Sequence, residues 1–186
     1  MSEQHFNKLR AYFITAVVLF VFGQLLWEHL QGGVVTHYFL ASAEYPGFSN
    51  WWAIVVLPAL AWFASTRVKK RISFEPDSAG GGALPKSVLI GFFGVLALAI
   101  LQSLGFEFGH ENISMYGILS LLVISFFLPV YRAECILAHV LGSTFTFGPI
   151  IPLIVISIVA LISAFSNLCV GPLVVRGWRR VKPVSS

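Results

Sequence analysis

The stretch AECILAHVLGSTFTFGPIIPLIVISIVALISAFSNLCVGPLVV, residues 133–175, decides how this chain folds. It is too long for one crossing of a bilayer, which takes about 20 mainly apolar residues, and right for two. Gly148-Pro149-Ile150-Ile151-Pro152 divides it, because proline lacks an N–H and clashes with the preceding helical turn. The spacing predicts helices over about 133–148 and 152–175. Working outward, four more apolar runs predict helices over about 11–31, 51–66, 87–106 and 113–131. The runs are continuously apolar and lack the alternation of barrel strands.

Lys and Arg orient these six segments. Lys8 and Arg10 precede the first. Arg67, Lys69, Lys70, Arg71 and Lys86 flank a Gly/Pro-rich loop (67–86) between the second and third. Arg132 follows the fourth, and Arg176, Arg179, Arg180 and Lys182 follow the sixth. With six crossings all 12 basic residues share one side; with five, the C-terminal cluster changes sides. The expected fold is therefore an all-α, polytopic membrane bundle of six transmembrane helices, a single membrane domain over 1–186 with both termini cytoplasmic. A bacterial inner (plasma) membrane is the expected location. Ala41-Ser42-Ala43 lies too far beyond the apolar run ending near Trp27 to serve as a signal-peptide cleavage site, so the first helix is read as retained.

Composition agrees. Apolar residues make up 57% and charged residues 11% of the 186, with 17 Phe and 5 Trp, and mean hydropathy is +0.84. Soluble domains carry about 25% charged residues, and disordered chains are poor in aromatics. Two cysteines, Cys135 and Cys169, exclude a disulfide scaffold; near cytoplasmic helix ends they are expected as free thiols. The basic clusters flank membrane helices and so read as topology and anionic-lipid contact, not nucleic-acid binding.

The outward side collects the chemistry. Glu28, Glu44, Glu107 and Glu111 fall there with His29, His37 and His110, and no Lys or Arg balances them. Gln24, Glu28 and Gln31 stand at i, i+4 and i+7 on one face of the first helix. Glu28 falls in the outer third of its span, where a charge is costly and needs a partner. Glu107, His110 and Glu111 stand at i, i+3 and i+4 and would converge if the third helix continued, with Ser103 extending the stripe inward. The long outer segment 29–50 breaks at Gly32-Gly33 and would place His37, Ala41 and Glu44 on one face of a short interfacial helix. In the fifth helix Cys135, His139, Gly142 or Ser143, and Thr146 form a stripe with a histidine near mid-membrane. Glu134 and Arg132 sit near its cytoplasmic end, placed to pair.

Imidazole nitrogens and carboxylate oxygens suit a Zn, Fe or Cu ion. The candidate metal ligands are His29, His37, Glu107 and His110, with Glu28 and Glu111 as proton-transferring catalytic groups. Gln24, Gln31, Glu44, His139 and Ser143 extend a polar path. No HExxH or CxxC is present, and Glu107-Phe108-Gly109-His110 is a single ExxH. The plainer alternative is solvated loop acids hydrogen-bonded to histidines. Three functional classes follow: a metal-dependent membrane enzyme acting on a lipophilic substrate, a small cation- or proton-coupled transporter or channel working as a homo-oligomer, or a structural subunit of a larger membrane complex.

Overall fold

The first helix begins where the chain can cap it: the Ser2 hydroxyl accepts the His5 backbone N–H at 3.2 Å, satisfying one free donor of the first turn. In this computed structural model, which describes residues 2–39, 44–72 and 84–172, α1 then runs over Glu3–Leu30. A small antiparallel hairpin follows, β1 (Thr36–Tyr38) against β2 (Gly47–Ser49), with His37 opposite Phe48. A single 3-10 turn, Asn50–Trp52, leads into α2 (Ala53–Lys69). Then come α3 (Lys86–Glu107), α4 (Glu111–Phe127), α5 (Ala133–Phe147) and α6 (Ile150–Phe165), the last widening into a π-helical segment, Ser166–Val170.

All six helices expected from the sequence are present. Four are long and apolar enough to cross a membrane: Glu3–Leu30, Asn50–Lys69, Lys86–Glu107 and Ile150–Val170, as expected of an integral membrane protein. Leu19, Phe22, Trp62, Ile90 and Leu161 are exposed on their outer faces, which suits a lipid surround. The other two are shorter. The 15 residues of α5 span about 22 Å at 1.5 Å per residue. Its neighbours enclose it: Leu137, Ala138 and Val140 have at most 1% exposure.

That central position requires small side chains. α5 packs against α2, α3 and α6. At Gly142 a Cβ would fall 2.8 Å from Ala99 Cβ and 3.1 Å from the Leu96 carbonyl oxygen. At Gly91 on α3 it would fall 3.2 Å from Cys135 Sγ. Ser103 Oγ donates to the Gly142 carbonyl at 3.1 Å. Close backbone approach cemented by short polar side chains is how helices associate where water supplies no driving force.

Several boundaries differ from expectation; α1, for example, starts at Glu3 and not at 11, and α2 runs on to Lys69. α4 stops at Phe127, not 131, because Leu128 precedes Pro129 and is extended (ψ 147°). The carbonyls this leaves free find donors on α6 and its extension: Ser163 Oγ bonds Leu128 O at 3.0 Å, Ser166 Oγ bonds Phe126 O at 3.0 Å, and Asn167 Nδ2 bonds Ser125 O at 3.1 Å. α6 starts at Ile150 and keeps Pro152 in its first turn, where a missing N–H costs nothing. Finally, residues 36–38 and 47–49 form the hairpin where an interfacial helix was expected. Gly47 permits it, since a Cβ there would meet Thr36 Cγ2 and Tyr38 Cε1 at 2.9 Å. Ala41 lies outside the described residues.

The two ends of the bundle differ in chemistry. At one end Arg10 donates to Thr66 Oγ1 (2.9 Å), Lys69 meets Glu3 (2.7 Å), and Arg71 pairs with Glu134. Glu134 thus takes its partner from the end of α2 and not from Arg132. At the other end Glu28, Asn50, His37 and Gly148 come together.

Candidate functional site

Glu28 is buried, and three donors converge on it. Its Oε1 accepts from Gln24 Nε2 at 2.9 Å and from Asn50 Nδ2 at 2.7 Å; its Oε2 accepts the Val35 backbone N–H at 3.1 Å. Gln24 shares the face of α1 that the i, i+4 spacing assigned to it, and its Nε2 also reaches the Thr144 carbonyl at 3.3 Å. The carboxylate therefore ties together α1, the hairpin strap and the start of α2, with Gln24 linking it to α5. Charge-assisted bonds of this kind are about twice as strong as neutral ones. With its lone pairs engaged by three donors, Glu28 is built to position the outer segment.

Above this knot the chain approaches itself at Gly148. Its φ is +69°, a conformation that L side chains rarely adopt. A Cβ there would sit 2.7 Å from Asn50 Oδ1 and 3.0 Å from His37 Cδ2. The α5–α6 turn thus seats against the hairpin, and His37 points in among the helices.

A cavity of about 420 Å³ opens beneath the hairpin. α4 packs on α3 and α6, and the cavity fills the gap between α4 and α5. The hairpin contributes His37 and Tyr38, α3 contributes Gln102, and α5 contributes His139, Ser143 and Thr146. Phe106, Phe147, Ile118 and Val155 supply apolar wall. The α5 stripe read from the sequence is thus split. Cys135 and Gly142 face α3, while His139, Ser143 and Thr146, at i, i+4 and i+7, line the cavity.

Three residues that line this cavity each keep a buried nitrogen with no hydrogen-bond partner among the described residues: His37 Nε2, His139 Nδ1 and Gln102 Nε2. Each is costly to leave unsatisfied, about 1–3 kcal/mol. A neutral imidazole presents one donor and one acceptor and moves protons near neutral pH. Ser143 lies one turn from His139, yet among the described residues no hydrogen bond joins them, and nothing prepares the serine as a nucleophile.

The other candidates lie elsewhere. His29, Gln31, Glu44, Glu107 and His110 are exposed. α3 ends at Glu107 and Gly109 turns the chain at φ +74°, so Glu107 and His110 do not continue one helical stripe. The His110 ring instead meets the Phe108 carbonyl at 2.8 Å. The Glu111 side chain lies outside what the structure describes. Among the described residues no three His, Cys, Asp or Glu side chains approach closely enough to share a metal ion. Asn50 is the residue that sequence reasoning missed. Its one signal is its position ahead of Trp51-Trp52, where a buried polar side chain must find a partner.

Burial holds the His37 imidazole below its ordinary value of 6.5, against opposing pulls from Glu28 and Glu107. The folded state then binds this proton less readily than the unfolded chain. Its stabilising contribution is complete above pH 6.5 and is lost as pH falls below it. The unfolding temperature should fall between about pH 7 and pH 5, and His37→Gln should flatten that part of the profile. Superimposable profiles for the two proteins would contradict this.

Compared with known proteins, the chain matches no family model, and no curated protein or solved structure is significantly similar to it.

Proposed function

We propose that this chain is a six-crossing protein of a bacterial inner membrane, with both termini in the cytoplasm. In this reading the cavity between α4 and α5 takes a lipophilic small molecule from the outer side, and His37 and His139 exchange a proton with it. One observation carries the reading: two imidazoles from separate elements, each with an unpartnered ring nitrogen, line the same partly apolar cavity. The topology draws support from the segregation of Arg10, Lys69 and Arg71 to the end opposite the hairpin. The apolar walls select a lipophilic body, and the nitrogens with the Ser143 and Thr146 hydroxyls orient a polar head. Acid–base conversion of that head is the chemistry two imidazoles do best.

The same pair is a partial ligand set for Zn, Fe or Cu, which would complete its coordination from Ser143, water or the guest. A proton-coupled carrier is the second reading, favoured by the cavity's reach from the hairpin to His139 at the middle of α5.

Native mass spectrometry of the untagged chain in nanodiscs tests the site. The wild type should retain one small molecule per chain, and Ile118→Trp, which fills the cavity, should lose it. Added Zn²⁺ or Cu²⁺ should bind less in His139→Ala if the pair holds metal. No bound molecule in the wild type, or equal retention in Ile118→Trp, removes the proposal.

A further inference from the structure

α2 buries one face and bares another. Leu57, Ala61, Ala64 and Val68 are buried where it packs on α1 and α5. Ala59, Phe63, Arg67 and Lys70, at i, i+4, i+8 and i+11, form an exposed stripe on the far side. The 20 residues from Asn50 to Lys69 cover about 30 Å, the thickness of a hydrocarbon core. The stripe is therefore apolar along the acyl region and basic at headgroup depth. The cations at this end divide by their partners. Lys69 meets Glu3 at 2.7 Å, Arg71 pairs with Glu134, and Arg10 lies over Trp62 and donates to Thr66. Arg67 and Lys70 pair with no carboxylate among the described residues. The Arg67 guanidinium folds back over the Phe63 ring, 5.0 Å from its centroid, one turn nearer the middle of the span.

We infer that this stripe is a binding site for one anionic phospholipid, its phosphate held between Arg67 and Lys70 and an acyl chain lying along Phe63 and Ala59. Charge complementarity selects the occupant. Two exposed cations stand one turn apart, with about 5–6 Å between their Cβ atoms, close enough to share one phosphate. The guanidinium takes two phosphate oxygens side by side, and the ammonium adds a point charge. A zwitterionic lipid brings its own cation to the same place and loses most of this attraction. The negative end of α2 opposes an anion little, because the carbonyls of its last turn are occupied. Thr66 O, Val68 O and Lys69 O accept backbone N–H groups, and Arg67 O accepts Arg71 Nε at 3.4 Å. The sequence offers every flanking cation to lipid alike; pairing inside the bundle narrows those of α2 to two. The site stands whether or not the outer cavity takes a guest.

Native mass spectrometry of the full chain in detergent measures the binding, with dioleoylphosphatidylglycerol, dioleoylphosphatidylcholine and water-soluble glycerol 3-phosphate titrated in turn. Phosphatidylglycerol should fill one site per chain at least about tenfold more tightly than phosphatidylcholine. Glycerol 3-phosphate, which has no acyl chain, should not bind at the same concentrations. Arg67→Gln should weaken the first phosphatidylglycerol about fivefold, and Arg67→Gln with Lys70→Gln should leave it no tighter than phosphatidylcholine. Arg67→Lys should recover only part of the loss, since it cannot grip two oxygens. Lys8→Gln removes an exposed charge outside the stripe and should change the affinity less than about twofold. All the substituted side chains are exposed, so folding is not at stake. Equal affinity for the two lipids or full affinity in the double variant would overturn the assignment. So would a loss in Lys8→Gln as large as in Arg67→Gln, which would mean diffuse charge, or tight binding of glycerol 3-phosphate, which would mean a soluble anion.

Discussion

Replacing Glu28 with alanine should lower the stability of the bundle by about 3–5 kcal/mol, a fall in unfolding temperature of about 10 °C or more for a chain of this size. The carboxylate is buried and accepts from Gln24, Asn50 and Val35. Its removal strands the buried Asn50 amide, at about 1–3 kcal/mol, and leaves the part-buried Val35 N–H without its acceptor. Gln24 loses less, since it still reaches Thr144 O. Glu28→Gln should fall between, because an amide keeps one acceptor oxygen but turns a donor toward a donor. Asn50→Ala should resemble Glu28→Ala in kind, and the double variant should cost less than the sum of the two, since the residues share one bond. Thermal unfolding in detergent measures all four. A shift of only a degree or two for Glu28→Ala would mean that the carboxylate does not hold the outer segment in place.

Gly142→Val should be as damaging for the opposite reason. No polar group is removed; volume is added where α5 touches α3. The first added carbon already lies 2.8 Å from Ala99 Cβ and 3.1 Å from the Leu96 carbonyl, and 3.3 Å from the Ile100 nitrogen. Two of these three neighbours are backbone and cannot rotate away. Overpacking of this kind costs about 1–3 kcal/mol, and displacing α3 from α5 also breaks the Ser103–Gly142 bond. Gly23→Ala is the contrasting case. No atom lies within 4 Å of a Cβ there, and alanine in a helix is favoured over glycine by about 1 kcal/mol. Gly142→Val should give little folded protein and Gly23→Ala an unchanged or raised unfolding temperature. Equal behaviour of the two would remove the tight α3–α5 contact from the account.

The six helices were legible because hydrophobic runs, Pro149 and the basic residues report local physics. Helix ends set by tertiary partners were less so: the stop of α4 at Phe127 depends on Pro129, and the carbonyls it frees are met by Ser163 of α6 and Asn167 of the segment that follows it. Of the candidate site, periodicity picked out Gln24 with Glu28, and His139 with Ser143. It could not show that His37 joins His139, because a hairpin brings them to one cavity. Nor could it show Asn50, whose role exists only once α2 stands beside α1. The clustering of acids and histidines on the outer side was read as convergence. Most of those side chains are instead exposed: His29, Glu44, Glu107 and His110 do not meet in one site.

The central claim is that the cavity holding His139 and Ser143 opens at the end of the bundle that bears the hairpin, and that this end is the non-cytoplasmic one. In a background with Cys135→Ser and Cys169→Ser, single Ser143→Cys and Thr146→Cys variants can be challenged with a membrane-impermeant methanethiosulfonate. In spheroplasts both thiols should react from outside, and adding Ile118→Trp should slow them. Reaction only in inverted vesicles, or from neither side until the protein is unfolded, would contradict the account.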